Sequence, residues 1–351
     1  MGADRVGLYA ALTRAAAACL FLAAAMPAPA GAAPRSGRNP ANDGLAGIAR
    51  ETIEDAQAPA DGANPSQTYR IQLTRLMRPG QRYAYSADAT VVDSATGKLS
   101  GSTKTLKPRT VSVHFEGEME VLAVNVYGEP TKARFLVHEC SARALKDRIT
   151  VFKRGTVVTA ESTRYKTKLS PDRGGLSIEE DMMARSVLSL PKEDGISDDD
   201  LFGTRARQKV GGAWAVNPDK LVKSFASQGS KVHRNNVSGT VRLKGVEYVD
   251  GIPCLRINGR AQIAEFTVPQ EDVPDGTRVK QARSEIKFTR LSPIDPSKYS
   301  VLDSYSTTTY LTLVTDEGVI SPDMTVEARW LRTVGATYRL LDDGVQSVAS
   351  P

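Results

Sequence analysis

Chemistry in this chain would have to be built from few reactive side chains. There are three histidines, His114, His138 and His233, and three cysteines, Cys19, Cys140 and Cys254. Only His138 and Cys140 stand at a spacing that suggests a metal, because residues i and i+2 of a strand share a face. With no second local pair this is half a site, and it is read as a strand-face histidine beside a packed thiol. The chain holds no His-Glu-x-x-His, Gly-x-Ser-x-Gly elbow, phosphate-binding glycine loop or dinucleotide fingerprint. No catalytic residue, metal or cofactor is therefore assigned from sequence. Paired carboxylates need not be neighbours along a chain, so a hydrolytic site assembled from distant residues stays open.

Charge is unevenly spread. The acidic run Glu193-Asp194-Gly195-Ile196-Ser197-Asp198-Asp199-Asp200 invites calcium but lacks the ligand order of an EF-hand loop. It is expected to be a solvated loop in which Ser197 caps a turn into Leu201 and Phe202. Between Arg143 and Arg173 nine basic residues face three acids, and Arg164, Lys166 and Lys168 alternate along the chain. A strand there puts three cations on one face, a candidate patch for anionic headgroups or acidic polysaccharide. The competing expectation is a wet sheet face neutralised by the acids from Glu179 to Asp200. Across the chain 46 basic residues oppose 40 acidic ones, and aromatics make up 6%, too few to interleave with cations as base stacking requires. Nucleic acid is not an expected partner.

The 351 residues are 40% hydrophobic and 25% charged, which excludes wholesale disorder and suits one large core or two medium ones. Arg5 and Arg14 precede the apolar stretch Ala15 to Met26 and then small residues with proline, the pattern of a secretory signal peptide over residues 1–32. Cleavage is expected after Ala32, with Ala30 as the alternative. Ala16-Ala17-Ala18-Cys19 resembles a lipobox, yet its cysteine sits inside the apolar stretch rather than closing it. No later segment has the roughly 18 apolar residues a membrane helix needs, so the mature chain is expected to be periplasmic or secreted. In an oxidising compartment Cys140 and Cys254 are a candidate disulfide, with two buried thiols as the alternative.

Residues 33–66 are rich in Ala, Pro, Gly, Asn and Asp and are read as a flexible linker. From Tyr69 onward short alternating runs, such as Val111 to Phe115 and Tyr310 to Val314, are separated by Gly, Pro and Asp. They predict a mainly β (α+β) chain of curved antiparallel sheets or half-barrels. Two helices interrupt it. Ser177 and Glu180 form a capping box for a helix near 178–190, and Asn217 with Pro218 opens a helix near 218–228.

The strands also repeat. Gly117-Glu118-Met119-Glu120-Val121, then Val124 and a turn at Gly128, matches Gly239-Thr240-Val241-Arg242-Leu243, then Val246 and a turn at Gly251. Upstream of each copy a glycine precedes an aromatic, Tyr83 or Trp214. Two related halves are expected, residues 67–200 and 201–345. The run Lys209 to Trp214, the helix after it and the Gly239 to Pro253 hairpin together resemble a pattern in exported bacterial proteins of uncharacterised families. The architecture resembles, more loosely, the half-barrels of periplasmic lipoprotein carriers, which implies a lipid or envelope component as partner. The expected function is non-enzymatic: binding an apolar or lipid-like ligand, with Trp214, Leu221, Val222 and Phe225 as wall residues, or a structural role in the envelope. A secreted hydrolase and an adhesive or assembly module are the alternatives.

Overall fold

The computed structural model describes residues 67–342, apart from 75, 100–101, 145–146, 164–165, 193–194, 228, 270–272, 274–276, 296–297, 299 and 316–324. The signal peptide and linker expected for residues 1–66 lie outside the described residues. The strands are β1 (Thr68–Tyr69), β2 (Arg82–Leu99), β3 (Ser102–Thr105), β4 (Arg109–Val124), β5 (Pro130–Ala144), β6 (Asp147–Phe152), β7 (Val157–Ser162) and β8 (Thr167–Pro171). They continue with β9 (Gln208–Lys209), β10 (Ala213–Ala215), β11 (Val237–Val249), β12 (Ile252–Ile263), β13 (Thr277–Pro293), β14 (Ser300–Thr315) and β15 (Thr325–Asp342). The helices are α1 (Ile178–Val187), α2 (Asp198–Phe202) and α3 (Pro218–Ala226).

The mainly β class expected from sequence, antiparallel sheet with short helices, is what forms. One antiparallel sheet of thirteen strands runs β10-β11-β12-β13-β14-β15-β2-β4-β5-β7-β8, with β3 added to β2 and β6 to β5, and β1 pairs with β9 in a second, two-stranded sheet. β10 and β8 do not meet, so the sheet is not closed into a barrel. β15 pairs with β2 along almost its whole length, from Thr325 opposite Lys98 to Asp342 opposite Arg82. No local pattern announces a pairing between segments so far apart.

Alternation decides which face is buried. Tyr83, Tyr85, Ala87, Ala89 and Ala95 of β2 are buried, as are the even residues from Val326 to Tyr338 of β15. Two apolar cores share this inner face. One gathers Tyr85, Phe115, Phe135 and Tyr338 under α1, with the other three rings 4.8–5.6 Å from that of Tyr85. The other gathers Leu243, Ile257, Phe288 and Trp330 under α2 and α3. Tyr69, Ile71 and Leu73, N-terminal to the sheet, are buried in this second core as a strap.

Both predicted helices form with their predicted caps. The Ser177 hydroxyl accepts from Glu180 N while the Glu180 carboxylate accepts from Ser177 N. Asn217 accepts from Lys220 N. The repeat is carried into hydrogen bonding as well. Gly80 N donates to Val121 O (2.8 Å) and Val121 N to Gln81 O (3.0 Å), while Gly211 N donates to Leu243 O (2.7 Å) and Leu243 N to Gly212 O (3.0 Å). Tyr83 pairs with Met119 and Trp214 with Val241, each two residues beyond the matching glycine. Gly80 and Gly211 have φ of 87° and 84°, a conformation that favours glycine in both copies. The helices do not repeat: α3 lies between β10 and β11, whereas β3 occupies the matching place between β2 and β4.

Candidate functional site

A cluster of charge lies where the strap crosses the inner face. Ser197 opens α2 by accepting from Asp200 N, and the three following acids all have protein partners. Asp199 accepts from Leu73 N (2.7 Å) and Thr74 N (2.9 Å) of the strap. Asp198 pairs with Arg290 of β13 at 2.7 Å, and Asp200 with Lys220 of α3 at 2.8 Å. Arg290, buried, also donates to Leu73 O at 2.6 Å. The acidic run is thus a latch rather than a solvated loop; Glu193 and Asp194 lie outside the described residues. Asp198, Arg290, Leu73, Phe202, Phe288 and Tyr305 line a crevice of about 200 Å³ with its open mouth, whose interior has room for about one water.

Glu129, in the turn between β4 and β5, belongs electrostatically to this cluster. Burial raises its pKa to about 7, against a hydrogen bond from the Asn125 side-chain amide, with Asp198 and Asp199 adding to the rise and Arg290 opposing it. A protonated carboxyl near ionised ones is the pattern of acid and base catalysis. Here both Asp199 oxygens accept from the strap, Asp198 Oδ2 accepts from Arg290, and the crevice has room for about one water. The arrangement holds a strap.

A second polar group sits between the two cores. Arg332 donates to Ser186 O (3.2 Å) and the Tyr85 hydroxyl to Val187 O (2.5 Å). These satisfy carbonyls that the end of α1 leaves open. Burial lowers the Arg332 pKa and raises that of Tyr85. The buried cation thereby docks a helix onto the sheet.

The residues singled out by sequence are dispersed. Leu221 and Phe225 are buried in the second core, where Phe225 meets Phe266 at 5.4 Å between ring centroids. Val222 and Trp214 are partly buried against that core, and the Trp214 indole donates to Phe202 O at 2.7 Å. Arg164 lies outside the described residues, and Lys168 stands across from Glu161, which Lys132 also approaches at 3.3 Å. Lys166 and Lys168 are both exposed, on either side of buried Thr167. His138 and Cys140 do not share a face as simple alternation predicts. A bulge between Glu116 and Gly117 slips the register, turning His138 outward toward Glu118 (3.8 Å) while Cys140 stays buried. On the same outer face His114 meets Asp88 at 2.8 Å, and that hydrogen bond raises its pKa.

Cys140 lies in β5 and Cys254 in β12, six strands apart in the sheet, whereas a disulfide needs Cα atoms within about 7 Å. The structure keeps the two buried thiols in separate places. Burial pushes the Cys140 thiol up to about 12. Cys140 should therefore resist a thiol-specific disulfide reagent at mildly alkaline pH in the native protein and react on unfolding; rapid modification of native protein, mapped to Cys140, would contradict its placement.

Sequence reasoning missed Arg290, Glu129 and the strap. Their only visible signal was the run of acids after Ser197, whose partners lie elsewhere in the chain.

No family model matches the chain, and no curated protein sequence matches it. Among solved structures it is weakly similar to Ail, the attachment invasion locus protein of Yersinia pestis, at 10% identity over 73% of this chain and 98% of that one, with a TM-score of 0.15. P47 from Clostridium botulinum A2 gives 8% identity over 69% and 80%, with a TM-score of 0.16. A DUF1329 family protein from Desulfovibrio piger gives 10% identity over 69% and 83%, with a TM-score of 0.13. Scores this low carry neither fold nor function to this chain.

Proposed function

We propose that this chain is an exported, non-enzymatic β protein of the cell envelope that acts through its surface rather than by enclosing a ligand. Export rests on the N-terminal pattern of Arg5, Arg14 and the Ala15 to Met26 stretch. Among the described residues no helix is long and apolar enough to cross a membrane.

One observation carries the choice between surface and cavity. The inner face, where an apolar ligand would lie, is occupied by two side-chain cores and by Tyr69, Ile71 and Leu73 of the strap. The crevice beside the strap holds about one water, whereas ligand pockets run to roughly 300–1,000 Å³. Leu221 and Phe225, proposed from sequence as cavity walls, fill core in this arrangement.

Native mass spectrometry of protein exported by a bacterial host, paired with organic extraction, tests the reading. A single mass without adduct is expected. A stoichiometric lipid adduct that disappears on denaturation would overturn it and require the strap to yield to a ligand.

A further inference from the structure

We infer that Arg283, Tyr310 and Arg329 form a binding site for a phosphate group on the outer face of the sheet. The inference stands on an observation separate from the filled inner face. Arg283 of β13 is directly opposite Tyr310 of β14, which is directly opposite Arg329 of β15. The guanidinium carbons lie 4.5 Å and 5.7 Å from the centre of the Tyr310 ring. Both arginines are exposed and the tyrosine is half-buried.

Two like charges flanking one side chain repel each other unless something answers them. The nearby carboxylates on this face are committed to other cations: Glu285 to Arg260 (2.5 Å) and Lys287 (3.0 Å), and Glu327 to Lys98 (2.6 Å). Among the described residues, neither Arg283 nor Arg329 has an ion-pair partner. The ring answers part of the charge through its negative face, which is worth about 0.5–1 kcal/mol for each exposed cation. The guanidinium N–H groups of the two exposed arginines form a fork that matches oxyanions. Two forks and the Tyr310 hydroxyl supply more donors than a carboxylate can accept. A phosphate group, with up to three terminal oxygens and a larger charge, uses them.

A free phosphate and a phospholipid headgroup share this chemistry, and one experiment distinguishes them. The full mature protein is titrated with inorganic phosphate by calorimetry and co-sedimented with phosphatidylcholine vesicles with and without phosphatidic acid. Binding to phosphatidic acid vesicles, or heat with inorganic phosphate, is expected. It should weaken about tenfold in Arg283→Gln/Arg329→Gln, the loss of a charge-assisted hydrogen bond. Lys287→Gln, removing a cation already held by Glu285, should bind as the parent does. Competition of phosphate against vesicles assigns the site to the phosphate group itself, and binding to vesicles without competition assigns it to the lipid headgroup. Absence of binding in both arms, or equal binding by the double variant with unchanged melting temperature, overturns the inference.

Discussion

Gly239→Ala and Gly117→Ala should each destabilise the protein by about 3 kcal/mol, although each adds a single methyl group. At Gly117 a Cβ would sit 2.3 Å from Leu136 O and 3.0 Å from the Phe115 ring. At Gly239 it would sit 2.4 Å from Arg260 O and 2.8 Å from the Ala261 Cα. In both, the obstructing carbonyl belongs to the residue opposite the glycine's successor on the next strand, Leu136 across from Glu118 and Arg260 across from Thr240. Neighbouring backbones therefore approach at the same place in each copy of the repeat, closely enough that only hydrogen fits. A side chain could move aside cheaply; a carbonyl held in a sheet cannot. Gly245→Ala is the control, since a Cβ there meets nothing within 4 Å, and it should change stability by less than about 0.5 kcal/mol. Denaturant melts of the three variants decide the matter. If Gly239→Ala costs no more than Gly245→Ala, the close approach is not part of the native sheet.

These glycines also explain why the repeat was legible. Gly117 and Gly239 are fixed by a backbone requirement, and a residue demanded by geometry leaves a spacing that sequence can show. The caps were legible for a related reason: Ser177 with Glu180, and Asn217 with Pro218, act within four residues of themselves. The latch was not. Asp199 reaches Leu73 and Thr74 more than 120 residues away, and Arg290 lies 92 residues from Asp198. An acidic triplet at a helix start looks the same whether solvent or a strap receives it. His138 and Cys140 failed differently, because one bulged residue reverses every inside and outside assignment that follows it. The continuity of the large sheet depends on β2 meeting β15. Nothing in either strand, alternating as each does, distinguishes that partner from another.

Raising the pH from about 4.5 to 7 should weaken the fold through Glu129, and Glu129→Gln should remove that part of the loss. The folded carboxyl titrates at about 7, above its ordinary value of 4.5, because burial beside Asp198 and Asp199 outweighs Asn125 and Arg290. Below 4.5 the group is protonated in both states and favours neither. Between 4.5 and 7 the folded state keeps a proton that the unfolded chain releases, so each rise in pH favours unfolding. Above 7 the penalty is complete. A shift of this size corresponds to roughly 3 kcal/mol if fully realised, and about 2 kcal/mol is expected for a side chain that water partly reaches. His114 acts in the same direction at higher pH: its hydrogen bond to Asp88 raises its pKa, so its stabilisation is full below 6.5 and fades as pH climbs through the folded value. The informative quantity is therefore the difference between parent and Glu129→Gln, measured by denaturant melts across this range. Glutamine keeps an oxygen for the Asn125 amide, which donates to Glu129 at 3.0 Å, and carries no charge toward Asp198. The variant should match the parent near pH 4.5 and exceed it by about 2 kcal/mol at pH 8. A constant difference across the range would mean that Glu129 takes up and releases its proton alike in the folded and unfolded protein, and would overturn the shift.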